Sequence, residues 1–272
     1  MRQFRDSWVR SGSMLCVGLD PTPARFPAHV GRSSASIRAF NHAIIDATSD
    51  LVCCYKPNLG FYLPHGHDGL DALLALREDV PAHIPLLLDA KVGDVGTTTE
   101  AYASAYFDTW GFDAVTAHAY MGHDSLAPLL SREGHAVFVL AKTSNPGSGL
   151  LQDQIVDGVP VSERVASQAA TWNSRDNVGL VAGATYPEQL RSIRSVAGDM
   201  PILVPGVGAQ QGDLAAAVRS GLDSSGYGLI INASRAVCYA SDGPDFAEAA
   251  RAVALRLSGE IEQAKAASLQ TA

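Results

Sequence analysis

Pro85-Leu86-Leu87-Leu88-Asp89-Ala90-Lys91-Val92-Gly93-Asp94 passes from an apolar run into three alternating charges within a few residues. A short apolar run bounded by Pro and Gly reads as a buried strand, and its charged continuation reads as the strand's end. While the strand persists, Asp89 and Lys91 stand two apart and share one face, with Asp94 in the loop that follows. Opposite charges this close favour each other's ionised forms, and burial works against both. The trio is either a salt-bridged strand end, which adds little stability, or a working set of charges in a site. Taken alone, the segment leaves both open.

Similar apolar runs rich in Val, Ile and Leu occur at residues 14–19, 51–55, 114–117, 136–141, 178–182, 202–205 and 229–232, eight in all with 85–89. Stretches of helical spacing lie between them, including 36–49, 98–110, 162–172, 187–197 and 213–220. Continuously apolar strands alternating with helices imply a parallel sheet covered on its outer face. Eight such units are the number that closes a barrel, so the expected fold is α/β, a (β/α)8 TIM barrel. An open doubly wound sheet is the competing architecture. No low-complexity linker divides the 272 residues, which predicts a single domain over 1–272. The longest expected loop is the Pro-Gly-Ser-rich stretch 145–160, and the Ala/Gln-rich tail 260–272 is expected to fray.

Composition narrows the function classes. Hydrophobic residues make up 47% of the chain and charged residues 18%, enough apolar material for a large core and too little charge for disorder. A net charge of −8 with no Lys/Arg-rich run argues against a nucleic-acid partner. A small anionic ligand stays open, since a few local cations can override the negative whole. No apolar stretch approaches the roughly 20 residues that span a bilayer, so no membrane association is expected. Residues 1–10 lack the apolar centre of a secretory signal, and a cytoplasmic location is expected. Cys16, Cys53, Cys54 and Cys238 form no CxxC or zinc-finger spacing and read as buried thiols.

Barrel enzymes carry their chemistry at the C-terminal ends of the strands. At those ends stand Asp20, Lys56, Asp89 with Lys91, His118, Ser144 with Asn145, and Ser234-Arg235. The turn Pro205-Gly206-Val207-Gly208-Ala209-Gln210-Gln211-Gly212-Asp213 follows the seventh run and opens a helix. Glycines such as Gly206 let backbone approach a ligand closely, and helix N–H groups favour an anion. With Arg235 after the eighth run, this is the pattern of a barrel phosphate site; the bland alternative is a tight turn capped by Asp213. His118 and His123 lack a second His/carboxylate pair at ligand spacing and read as pocket wall, so no metal site is expected. His65 and His67 flank Gly66 in an expected loop, and Cys53 and Cys54 sit inside a strand where neither reads as a nucleophile.

Assembled in order, these pieces resemble the orotidine 5'-phosphate decarboxylase family, particularly its longer bacterial (type 2) subgroup. The resemblance runs from about Cys16 to Tyr239. It rests on Cys16-Val17-Gly18-Leu19-Asp20-Pro21, Tyr55-Lys56-Pro57-Asn58, the Asp89 segment through Thr98, Tyr120-Met121-Gly122, Thr143-Ser144-Asn145-Pro146-Gly147, Gly183-Ala184-Thr185-Tyr186-Pro187, Pro205 to Gln210, and Ser234-Arg235. It implies decarboxylation of orotidine 5'-phosphate to UMP with no cofactor. Lys91 would be the proton donor, and Asp89, Asp94 and Lys56 would complete a charged array around it. Asp20 and Lys56 would bind the ribose hydroxyls, Ser144 the pyrimidine edge beside Asn145 and Pro146, and Gly206, Gln210 and Arg235 the phosphate. It further implies a homodimer in which Asp94, accompanied by Thr98, completes the neighbouring subunit's site.

The chain departs from the subgroup pattern in places. Val92 and Lys142 stand where Arg is usual, His118-Ala119 where Asn-Pro is usual, Gln211 where Gly is usual, and Ala233 and Ala236 where Ser and Gly are usual. By strand alternation Val92 points away from Asp89 and Lys91, toward a neighbouring loop or subunit. Two rivals remain at this point: a Mg2+-dependent sugar-phosphate lyase of the same suprafamily, which uses a related DxKxxD, and a nonenzymatic nucleotide-binding barrel.

Overall fold

The computed structural model describes residues 1–206 and 213–270. Eight parallel strands form one sheet: β1 (Leu15–Val17), β2 (Cys54–Tyr55), β3 (Leu87–Val92), β4 (Ala114–Ala117), β5 (Ala136–Lys142), β6 (Val178–Ala182), β7 (Ile202–Val204) and β8 (Leu229–Ala233). The hydrogen-bonded order is β2-β1-β8-β7-β6-β5-β4-β3. Bridges from Tyr55 to Leu86 and from Asn58 to Asp89 join the two ends, so the sheet closes on itself as a (β/α)8 barrel. Closure leaves no open edge. The strands are short and almost wholly buried, consistent with a sheet whose interior is filled by side chains and whose exterior is covered by helices.

The helices expected from spacing appear as Ile37–Thr48, Val161–Trp172, Pro187–Ala197 and Leu214–Gly221, the last with Asp213 accepting from the Ala216 amide at 2.9 Å as its N-cap. The expected 98–110 helix runs over Gly96–Ala103 and then widens into a π-helical stretch, Ser104–Thr109. Three differences stand out. His67 lies in a helix, Gly66–Asp79, and not in a loop; that helix buries Leu73 and Leu76. The 145–160 stretch is not structureless: it holds a 3-10 turn (Pro146–Ser148), a helical turn (Gly149–Gln152) and an antiparallel pair, Ile155–Val156 with Val159–Pro160. Val92 is buried in the hydrophobic core of its own chain, at the point where β3 shifts register against β4 between Leu88 and Val92.

Two terminal helices complete the body. Arg2–Ser11 packs the Phe4 ring edge-on to Phe138 of β5 and stacks Trp8 on Tyr227 at 6.1 Å, just ahead of β8. The long helix Phe246–Gln270 lays Lys265 over the same Tyr227 ring at 3.6 Å. Among the described residues, no helix is long and apolar enough to cross a membrane.

Candidate active site

Asp89 sits at the centre of the polar residues. One carboxylate oxygen accepts from Lys91 Nζ at 2.6 Å and Thr116 Oγ1 at 2.8 Å; the other accepts from Asn58 Nδ2 at 3.0 Å and Lys56 Nζ at 3.3 Å. Burial opposes the charge of Asp89, but Lys56, Lys91 and the hydrogen bonds outweigh it and hold the carboxyl at about 2. Lys56 is buried, and burial opposes its charge as well; Asp89 and Asp20 prevail and push it up to about 12. Lys56 and Asp89 are therefore both ionised at neutral pH, and with Lys91 bonded to the same carboxylate they form an alternating row whose Lys91 end is half exposed.

The row is not made by strand alternation alone. Lys91 has φ 49°, in the left-handed region that disfavours any residue with a Cβ. Its backbone N–H donates at 2.9 Å to Thr116 Oγ1, the hydroxyl that in turn donates to Asp89. Thr116 on β4 thus fixes both the bulge and the carboxylate it serves. Next along the chain, Gly93 is pressed to His118: a Cβ there would lie 2.5 Å from the imidazole ring. His118 Nδ1 is buried and has no hydrogen-bond partner among the described residues, and the His123 ring tilts against Trp172, so neither histidine joins the charged row.

A cavity of about 340 Å3 opens over this row. Lys56, Asp89, Lys91, Thr116, Ser144 and Asn145 line its polar side, while Leu140, Val181 and Leu203 supply an apolar floor and Pro205 an end wall. That size and that mixture of apolar wall and convergent polar groups suit a small organic ligand. Asp20 adjoins the row through its field on Lys56, its carbonyl accepts from the Tyr239 hydroxyl at 3.0 Å, and its buried Oδ1 has no partner among the described residues. Pro146 starts the 3-10 turn directly after Asn145.

The remaining expected residues lie around this centre. Gly206 has φ 96°, a conformation open to glycine, directly after Pro205. Arg235 begins a short helix after β8, is exposed, and has no side-chain partner among the described residues. Gln210 and Gln211 fall outside the described residues. Asp94 does not meet Lys91 within its own chain; its carboxylate accepts from the Val95 amide at 2.7 Å and its carbonyl from Thr99 Oγ1 at 2.8 Å. Thr98 lies in the first turn of the helix Gly96–Ala103. Cys16, Cys53, Cys54 and Cys238 are buried and unbridged. Among the described residues, no group of three or more His, Cys, Asp or Glu side chains could hold a metal ion.

Sequence reasoning missed Asn58 and Thr116 as members of the site. Thr116 had a signal, a lone hydroxyl inside an otherwise apolar strand. Asn58 had its place in the Tyr55-Lys56-Pro57-Asn58 motif, two residues after Lys56.

The Orotidine 5'-phosphate decarboxylase / HUMPS family profile matches residues 13–253. A Thermomicrobium roseum protein named orotidine 5'-phosphate decarboxylase is 50% identical over 258 residues, covering 94% of this chain and 92% of that one. The solved OMP decarboxylase of Leishmania donovani superposes with a TM-score of 0.87 at 38% identity, over 97% of this chain and 98% of that one. The Leishmania donovani UMP synthase structure gives a TM-score of 0.88 at 40% identity over 97% of this chain, which spans 56% of that longer chain.

Proposed function

The chain belongs to the Orotidine 5'-phosphate decarboxylase / HUMPS family and is a carboxy-lyase that converts orotidine 5'-phosphate to UMP and CO2 in pyrimidine biosynthesis, and on that premise we propose that Lys91 is its proton donor. The observation that carries the assignment is the row Lys56–Asp89–Lys91, which ends at the cavity in a half-exposed ammonium. When the bond between C6 and the carboxylate carbon breaks, its electron pair stays on C6 as a vinylic carbanion and CO2 departs. A fixed ammonium beside C6 stabilises that developing charge and then transfers a proton to it, leaving UMP and a neutral amine that regains its proton from solvent. Asp89, held anionic by Lys56, Asn58 and Thr116, keeps the Lys91 ammonium aimed.

The other assignments surround this step. Asp20 and Lys56 take the ribose hydroxyls, a role supported by the buried Asp20 Oδ1, which has no partner among the described residues and calls for a donor. Ser144 reads the pyrimidine edge, with Asn145 and Pro146 shaping the turn around it. Gly206, Gln210 and Arg235 grip the phosphate; the exposed guanidinium of Arg235, which has no side-chain partner among the described residues, supports this, and Gln210 rests on the motif match. Binding energy from that remote phosphate is expressed at the reacting carbon by closing loops over it.

The active unit in this proposal is a homodimer in which Asp94 and Thr98 complete the partner's site. Asp94 makes no ion pair with its own Lys91, and Val95, Tyr102, Tyr120 and Met121, on the loops and helix after β3 and β4, are exposed apolar side chains available to a partner. The cytoplasm is the proposed location. Chelator-treated protein added to orotidine 5'-phosphate tests the function: loss of the substrate's ultraviolet absorbance with equimolar CO2 is expected. Activity abolished by EDTA and restored by Mg2+ would overturn the cofactor-free mechanism.

A further inference from the structure

We propose that the ion pair between the buried ammonium of Lys142 and the half-exposed carboxylate of Asp153 is a clamp that positions Ser144 and Asn145 over the pyrimidine. The inference rests on the assignment of Ser144 to the pyrimidine edge made above. Lys142 is the last residue of β5 and its side chain is 1% exposed. Its ammonium donates to Asp153 Oδ1 at 2.6 Å and lies 4.6 Å from the centroid of the Tyr186 ring. Asp153 directly follows the helical turn Gly149–Gln152, and Tyr186 directly precedes the helix after β6. One ammonium therefore ties together a strand end, the loop that returns over it, and the loop of the adjacent strand.

The ties continue through the next residue. The Thr143 amide donates to Gln152 Oε1 at 2.9 Å, Gln152 Nε2 donates to Thr143 Oγ1 at 3.0 Å, and Thr143 Oγ1 donates to Asn145 Oδ1 at 2.7 Å. On the other side, Gly183 lies so close that a Cβ there would sit 2.8 Å from Ser144 Cα and Cβ. The register of β5 against β6 shifts between Leu140 and Lys142, which re-aims the strand end. Ser144 and Asn145 are thus braced from both flanks where they line the cavity.

Energetics separate this from ordinary packing. An ion pair between a buried ammonium and a half-exposed carboxylate adds little net stability, because desolvation of the ammonium offsets an attraction that solvent screens on the carboxylate side. The loop has little apolar burial of its own to seat it: Leu150 is 78% exposed and Leu151 58%. Its placement depends on the polar ties, and a site residue misplaced by about 1 Å can cost on the order of a hundredfold in rate. Geometry, not stability, is what the pair supplies.

The test compares Asp153→Ala, Lys142→Arg and the double variant Lys142→Met/Asp153→Ala with the wild type. It measures kcat and KM for orotidine 5'-phosphate, inhibition constants for UMP and for ribose 5-phosphate, and the thermal midpoint. The double variant leaves no buried charge unpaired, so it keeps the comparison open if Asp153→Ala folds poorly. Expected for the double variant is a thermal midpoint near wild type, kcat/KM and UMP affinity each down about tenfold or more, and ribose 5-phosphate inhibition unchanged. Lys142→Arg, which keeps the charge, should stay within about threefold of wild type. Wild-type UMP affinity in a folded double variant, or parallel loss of UMP and ribose 5-phosphate affinity, would overturn the clamp. A wild type that binds both ligands without releasing CO2 would instead overturn the proposed function.

Discussion

Asp89 accepts from four donors on three strand ends, and two of those donors are lysines of different exposure. Asp89→Asn keeps the shape but leaves Lys56 buried without its anion and Lys91 without its guide. Turnover is expected to fall at least a hundredfold, with stability lower by several kcal/mol, since removing one partner of a buried pair is costly. The pH dependence has a definite sign. A carboxyl held at about 2 contributes stability above the ordinary carboxylate range that is lost as pH falls through that range toward 2. Lys56, raised to about 12, contributes stability below its ordinary range that is lost as pH climbs through 12. Thermal midpoints of wild type and Asp89→Asn measured from neutral pH down to pH 2 should therefore converge on the acid side. A constant gap would place the stabilisation elsewhere. Gly93→Ala has a steric consequence: the new methyl meets the His118 ring, so a lower thermal midpoint and slower turnover are expected together.

β3 shows how far a pattern carries and where it stops. Its apolar run and charged end were legible from residues 85–94, as were the other seven strands, because continuous apolar runs between turn residues admit few other readings. The meeting of Lys56, Asp89, Lys91, Ser144 and Asn145 at one cavity was legible for the same reason: strand ends share a rim. The bulge at Lys91 was not, since a left-handed lysine is imposed by Thr116 on another strand and leaves no local mark. The helix Gly66–Asp79 was hidden behind Gly, His and Asp at its start, residues that punctuate loops. The 145–160 stretch read as loop because polar ties, not apolar periodicity, organise it. The helix Arg2–Ser11 carries a prediction at this scale. Trp8→Ala should cost about 3–5 kcal/mol in denaturant unfolding through lost contact with Tyr227 and its surroundings, with kcat unchanged. A change in kcat as large as the change in stability would show that this helix reaches the site.

As a whole molecule, the protein holds its reacting group on one chain and, in the proposed dimer, a second acid on another. Mixing the Lys91→Ala and Asp94→Ala proteins under conditions of subunit exchange should restore about a quarter of wild-type activity, because each mixed dimer regains one intact site. No recovery despite demonstrated exchange would return Asp94 to its own chain. At the same scale, Arg235→Ala should lower kcat/KM severely with the fold intact, since phosphate energy drives closure around a distant carbon; a fall of less than roughly tenfold would remove the phosphate assignment. The central claim is that a single ammonium, organised by Asp89, delivers the proton. Lys91→Ala, assayed by CO2 release from orotidine 5'-phosphate alongside UMP binding, tests it most directly. Almost complete loss of CO2 release with UMP binding partly retained is predicted, and near-normal CO2 release would contradict the account.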